Sequence, residues 1–391
     1  MPEMVGTIVL GSAPAGVLLS VAIDEFIDEA QAGKKWTEKT RDRWVVTFRN
    51  LTEFLGDIPI HSIKRPACRD FFQRLQRLPS NANKMAALKG KNFLELTSPD
   101  IEGFEVLSEG TVNDHMTRIS GFFKWAVTHY ELKSNPAAGL QIAEVETTKR
   151  IPFTESELLA LFGRKDWQNR SFLHPHYYWV MLLGLFTGAR LNELCQLRLV
   201  DFFQVEGVDV ISIADEEGEG LRKKNKNARR RVPIHPELIR LGLLRWVESQ
   251  RAAGGVNLFD ELKPGRDGHG QAVSKWFGKY RKACGIVETQ SKVFHSFRSG
   301  LISQLMNADV VLHKIAHIVG HETGTVTGDS YWTDRDAKDV LRVVEIFTLP
   351  ESVRAVIPEI EAVTFTKAKP EAAEKKKPVI KAKRKPAEVQ S

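Results

Sequence analysis

The sequence predicts a multidomain protein: an all-α N-terminal domain, then a larger mixed α+β domain that is mainly helical. Three observations carry this. From about Leu18 to Tyr130, apolar residues recur at three- and four-residue spacing, the mark of helices that bury one face. After Leu197 the pattern changes to short β-branched runs at Val208–Ile213 and Val232–Ile234, and helical spacing then resumes. At 391 residues the chain has room for about two domains.

Residues 1–17 read as an N-terminal extension. Its run Thr7–Ala15 is apolar but short, lacks a basic flank and is interrupted by Gly11 and Pro14, so it makes a poor signal peptide. The helical domain is expected over 18–140. Leu19, Ala22, Ile23, Phe26 and Ile27 share one helix face; Trp44, Phe48, Leu51 and Leu55 share another, with Gly56 as a stop signal. Val112, Met116, Ile119 and Phe123 form a third stripe, entered through Thr111 and Asp114 as a capping arrangement. Leu78–Gly110 reads as mostly a long loop, and a linker around Lys133–Arg150 carries Asn135 and Pro136.

The second domain is expected over 150–350 and opens on a capping box, Thr154 to Glu157. Helices follow at Tyr177–Phe186 and Leu191–Leu197, then two strands joined by a charged, glycine-rich turn. Further helices are expected at Pro236–Arg251, Ala272–Cys284, Phe297–Met306, Val310–Val319 and Ala337–Phe347. Residues 364–391 read as a basic, disordered tail, too poor in apolar residues to fold alone.

Composition narrows the class. With 42% hydrophobic and 27% charged residues the chain resembles a soluble globular protein, and no stretch reads as membrane-bound. Cys68, Cys195 and Cys284 are odd in number and far apart, which gives neither a disulfide framework nor metal-ligand spacing and fits a cytoplasmic location. The net charge of +7 is deceptive: from Phe365 onward nine Lys/Arg face three Glu, so the tail holds a surplus of six and the rest is near neutral. Any argument for nucleic acid must rest on local charge.

Four local groups supply it. Arg190 follows Thr187-Gly188-Ala189 at a helix start, where free amide N–H groups favour an anion, and Glu193 one turn on can hold its guanidinium. Arg222, Lys223, Lys224, Lys226, Arg229, Arg230 and Arg231 place seven cations in ten residues; like charges so crowded favour a polyanion, here phosphate contacts on DNA. His295 and Arg298 share a helix face, a proton donor beside a two-point phosphate clamp. Gly320-His321 is followed ten residues later by Tyr331. Each group alone has an ordinary explanation: a surface ion pair, a solvated turn, a capping histidine, a core tyrosine. Their conjunction over Arg190–Tyr331 supplies cations for the non-bridging oxygens, a nucleophile and proton donors, which is what metal-free phosphoryl transfer requires. No Walker loop, HExxH, paired carboxylate cluster or CxxC is present.

At these residues the chain resembles the tyrosine recombinases, the phage integrase family. The likeness is close in Thr187–Leu197, in the hairpin ending Val232-Pro233-Ile234, in His295–Arg298 and from Gly320 to Tyr331. It implies a core-binding (SAM-like) helical domain and a tyrosine-recombinase catalytic domain that together clamp double-stranded DNA. It also implies that Tyr331 attacks the scissile phosphate to give a 3′-phosphotyrosyl link and a free 5′-hydroxyl. By the same resemblance Arg190 and Arg298 bind the non-bridging oxygens, His295 and His321 hydrogen-bond the phosphate, and His295 helps take the phenol proton. Lys224 is the implied acid for the 5′-oxygen, with Lys223 and Lys226 as neighbouring alternatives, and Glu193 braces Arg190. Ser299 departs from the histidine common in relatives, at a position that is not catalytic.

The resemblance implies no cofactor and no metal, a homotetramer on two recombination sites, and an accessory DNA-bending or directionality protein as a further partner. The implied function is integration or excision of a mobile element. Two alternatives stay open at this stage: a type IB topoisomerase that relaxes DNA, and a DNA-binding regulatory protein without catalysis.

Overall fold

The computed structural model describes residues 16–33, 36–143, 145, 149–213, 230–266, 268–288, 290–321 and 337–366. They fall into two compact units that divide at Lys149 and Arg150. Among the described residues, no helix is long and apolar enough to cross a membrane.

The N-terminal unit is helical: α1 (Leu19–Ala32), α2 (Glu38–Leu55), α3 (Arg65–Leu75), α4 (Phe93–Leu96) and α5 (Glu109–His129). The stripes fold inward as their spacing demands. Leu19, Ala22, Ile23, Phe48, Leu51, Met116, Ile119 and Phe123 are buried in one core, while Phe26, Ile27, Trp44 and Leu55 pack half-buried around it. Gly56 ends α2 at φ 75°, a left-handed conformation that favours glycine. One expectation needs correction. The cap of α5 is Ser108, whose hydroxyl accepts from the Thr111 amide, so the helix starts before Thr111 and Asp114. The segment 78–110 is mostly loop, as its composition predicts, but it is not free of structure: an Asn92–Glu95 capping box starts α4, and Leu78, Leu88, Phe93 and Leu96 are buried.

The second unit contains α6 (Glu155–Phe162), α7 (Lys165–Gln168), α8 (Pro175–Thr187), α9 (Leu191–Cys195), α10 (Pro236–Arg240), α11 (Leu243–Ala252), α12 (Gln271–Ala283), α13 (His295–Asn307), α14 (Leu312–Val319), α15 (Ala337–Val344) and α16 (Glu351–Arg354). The Thr154–Glu157 capping box forms as its spacing predicts. From Tyr178 to Thr187 every residue of α8 is buried, so α8 is the central helix of the core. The expected long helix from Pro236 is broken at Gly242, where φ is 93° and a Cβ would lie 2.3 Å from the Ile360 side chain.

Strands β2 (Phe202–Val205), β3 (Val208–Ile213) and β4 (Arg230–Pro233) form an antiparallel sheet in that order. In the β3–β4 register Ile213 faces Arg230 and Ile211 faces Val232. A parallel pair was not expected: β1 (Ser171–Phe172) binds β5 (Thr364–Phe365). The fold thus runs past residue 350, with Val353 and Ile357 buried, and takes in the first residues of the stretch read as a disordered tail.

Candidate active site

Three chain segments meet around α8. Its C-terminus turns at Gly188, whose φ of 59° and lack of a Cβ fit a space closed by Leu301, Val319 and Arg298. The turn delivers Arg190 to the start of α9. Gly184, one turn earlier, lets the Phe294 ring come so close that a Cβ would stand 2.6 Å from it. That contact seats the beginning of α13, and with it His295, against α8. At the end of α14, Gly320 (φ 71°) reverses the chain, and the His321 amide donates back to the Ala316 carbonyl.

The arginines are held in different ways. Arg190 is partly exposed; its backbone N–H and its Nη1 each donate to Glu193 at 2.8 Å, and Nη2 lies 3.4 Å from the Gly320 carbonyl. Helix α9 is only five residues long and Glu193 takes the N–H of its N-cap, Arg190, so the expected help from a helix dipole is small. Arg298 is 1% exposed, and its Nη1 donates to the Gly188 carbonyl at 2.9 Å. Its Nε and Nη2, both buried, have no hydrogen-bond partner among the described residues. Burial and the charges of Arg190 and Arg230 pull its pKa down to about 9, so at neutral pH it is still a cation.

Both histidines of the site, His295 and His321, are held below the ordinary imidazole value. Burial, then the Arg298 and Arg190 charges, push His321 down to about 4, and the same causes lower His295. Burial alone would raise the Glu193 carboxyl, but hydrogen bonds from Arg230 and Arg190 hold it below its ordinary value.

Arg230 departs from its expected role as a DNA contact. In a strand alternate residues face alternate sides, and Arg230 points inward with Val232 while Arg231 is exposed over the Phe203 ring. Arg230 is 3% exposed and pairs with Glu193. The period-two pattern of Arg230, Arg231 and Val232 carried that signal in the sequence. A second buried pair escaped the sequence reading: Lys292, three residues before His295, binds both oxygens of Glu157. Tyr331, Lys224, Arg222, Lys223, Lys226 and Arg229 lie outside the described residues.

The described residues include one group with metal-ligand chemistry, His174, His176 and Glu261, whose donor atoms lie within 4.8 Å of one another. His176 Nδ1 is 2.8 Å from the Glu261 carboxylate, and the two imidazole planes are stacked within 15°. Stacked rings do not aim both lone pairs at one ion. The group reads as a hydrogen-bonded pair, His176 with Glu261, that fixes the start of α8.

Residues 154–338 match the family model described as the phage integrase family. This region belongs to the phage integrase family. It is the domain of an enzyme that cuts and rejoins DNA in site-specific recombination. A tyrosine recombinase XerC-like protein of Caldanaerobacter subterraneus subsp. tengcongensis is 27% identical over 344 residues, 78% of this chain and 85% of that relative. The ICEBs1 integrase of Bacillus subtilis is 30% identical over 172 residues, 40% of each chain. Among solved structures, a lambda integrase tetramer bound to a Holliday junction aligns with a TM-score of 0.52 at 17% identity, over 83% of this chain and 82% of that one. The Tn1549 transposon integrase in complex with transposon right end DNA gives 0.52 at 21% identity, over 85% and 97%. These likenesses support the fold of this chain, a mainly helical multidomain protein with small sheets.

Proposed function

We propose that this integrase cleaves duplex DNA through Tyr331 and rejoins it, with Arg190, Arg298, His295 and His321 around the scissile phosphate. The observation that carries the reading is Arg298: a buried guanidinium with two unmet donors beside a second arginine is a costly arrangement that a phosphate offsets. The two cations neutralise charge that grows on the non-bridging oxygens in the transition state. His295, neutral and next to that phosphate, accepts the phenol proton as the Tyr331 oxygen bonds to phosphorus. The 5′-oxygen leaves with a proton supplied by Lys224. In the second step an incoming 5′-hydroxyl gives up its proton and displaces Tyr331, so the number of phosphoester bonds is unchanged. Arg222, Lys223, Lys226, Arg229 and Arg231 are proposed to line the DNA backbone.

The lambda integrase tetramer solved on a Holliday junction supports a homotetramer on two recombination sites, and the ICEBs1 and Tn1549 relatives support a mobile element as the DNA that is moved. An accessory DNA-bending or directionality protein and a cytoplasmic location complete the proposal. The test is a denaturing gel on nicked duplexes tiling the ends of the neighbouring element. Wild type is expected to form an SDS-resistant DNA adduct, and Tyr331→Phe to bind DNA without forming one. Equal adduct from Tyr331→Phe refutes the assignment.

A further inference from the structure

Arg230 is the first residue of β4, where the chain returns from the basic segment 222–229. Its guanidinium makes three contacts with two other elements. Nη2 and Nη1 donate to the two Glu193 oxygens at 2.8 and 3.3 Å, and Nε donates to the Ile318 carbonyl at 2.9 Å. Gly320 lies flat against it: a Cβ there would stand 2.6 Å from Nη1. Gly320 is also the residue whose carbonyl faces Arg190 Nη2 and whose neighbour is His321.

Glu193 poses an electrostatic problem for the site. A buried carboxylate that grips Arg190 repels an arriving phosphate and competes with it for the same guanidinium. Arg230 approaches Glu193 together with Arg190, so the three side chains carry one net positive charge instead of none. We infer that Arg230 is a positioning residue for the phosphate site: it neutralises Glu193 and anchors the Ile318–Gly320 corner, so that Arg190 and His321 are presented to one phosphate. The inference rests on the recombinase reading of that site.

Three variants test it: Arg230→Met, Arg230→Lys, and Glu193→Gln combined with Arg230→Met. Each is measured for adduct formation on nicked duplexes, duplex binding by gel shift, and titration of the His321 imidazole by NMR. Arg230→Met is expected to slow adduct formation roughly tenfold to a hundredfold while duplex binding changes little. The double variant is expected to recover about tenfold of that loss, because the unpaired carboxylate is gone. Arg230→Lys, which keeps the charge but not the fork, falls between wild type and Arg230→Met.

The charges acting on His321 are Arg298, Arg190, His295 and Arg230, so loss of Arg230 is expected to raise its midpoint above about 4. A purely packing role predicts the opposite for the double variant, namely a further loss. Wild-type adduct formation by Arg230→Met, or a double variant slower than the single one, overturns the inference. If wild type itself forms no adduct, the recombinase reading fails separately, and an unchanged His321 midpoint in Arg230→Met overturns this one. If Arg230→Met does not fold, the double variant is expected to fold; its failure to do so shows that Arg230 serves packing alone.

Discussion

Arg298 and His115 meet the same penalty in different surroundings. Arg298 is a buried cation, two of whose donors find no partner among the described residues, beside the phosphate position proposed above. His115, in the N-terminal unit, is 8% exposed with Nδ1 2.9 Å from the Thr47 hydroxyl, and the Asp114 carboxylate offsets only part of its burial. Burial, then the Arg118 charge, push it from an ordinary 6.5 down to about 4, so it folds as a neutral ring. The sign follows. As pH falls the unfolded chain takes up the proton first, so the contribution is complete above pH 6.5 and is lost on the way down to about 4. Its full size is on the order of 3 kcal/mol, from about 1.4 kcal/mol per pH unit. His115→Gln, which keeps a partner for Thr47, is expected to flatten the fall in stability of the N-terminal unit across that window. Denaturant unfolding at a series of pH values measures it, and an equally steep fall in the variant assigns the effect elsewhere.

At the scale of elements, the junction of α8 with α9 and α13 decides where the site's cations stand. Gly188 is its pivot: a Cβ there would meet Leu301 at 2.8 Å and Val319 at 3.2 Å, and its carbonyl holds Arg298. Gly188→Ala adds strain at positive φ to overpacking, and is expected to destabilise by about 1–3 kcal/mol. Because Leu301 and Arg298 lie on the same helix, adduct formation is expected to fall more than duplex binding does. An unchanged unfolding midpoint and cleavage rate would show that the junction yields without consequence. What was legible in the sequence follows the same lines. Arg190 with Glu193, His295 with Arg298, and Gly320 with His321 are local pairs, so spacing alone reveals them, and long apolar stripes reveal α1, α2 and α5. Arg230 was misread because a run of like charges hides the alternation of a strand. The two-residue strands β1 and β5, and α4 with its four residues, are set by long-range contacts and leave no period to detect.

At the scale of the whole molecule, the question is where the catalytic unit ends. Sequence patterning places its boundary at residue 350, but the following residues close the core. Val353 and Ile357 are buried, and the Tyr178 hydroxyl donates to the Pro358 carbonyl at 2.6 Å. Ile360 donates its amide to Leu241 and packs on Gly242, and Phe365 meets Trp246 with ring centroids 5.3 Å apart. Burial of a large apolar side chain stabilises by roughly 1.5–3 kcal/mol, so a chain ending at 350 forfeits much of a domain's net stability. It is expected to unfold at a markedly lower temperature than the full chain, or to aggregate. A chain ending at 366 keeps every one of these contacts and is expected to unfold where the full chain does. It loses the tail's nine cations, however, and with them a share of the counterion release on binding. Its affinity for duplex DNA is therefore expected to be weaker at low salt and to fall less steeply as salt rises. Thermal unfolding of the two truncations and duplex binding across a salt series separate the two effects. An unshifted midpoint for the chain ending at 350 makes the last strand dispensable, and an unchanged salt slope for the chain ending at 366 means that the tail's cations do not touch phosphate.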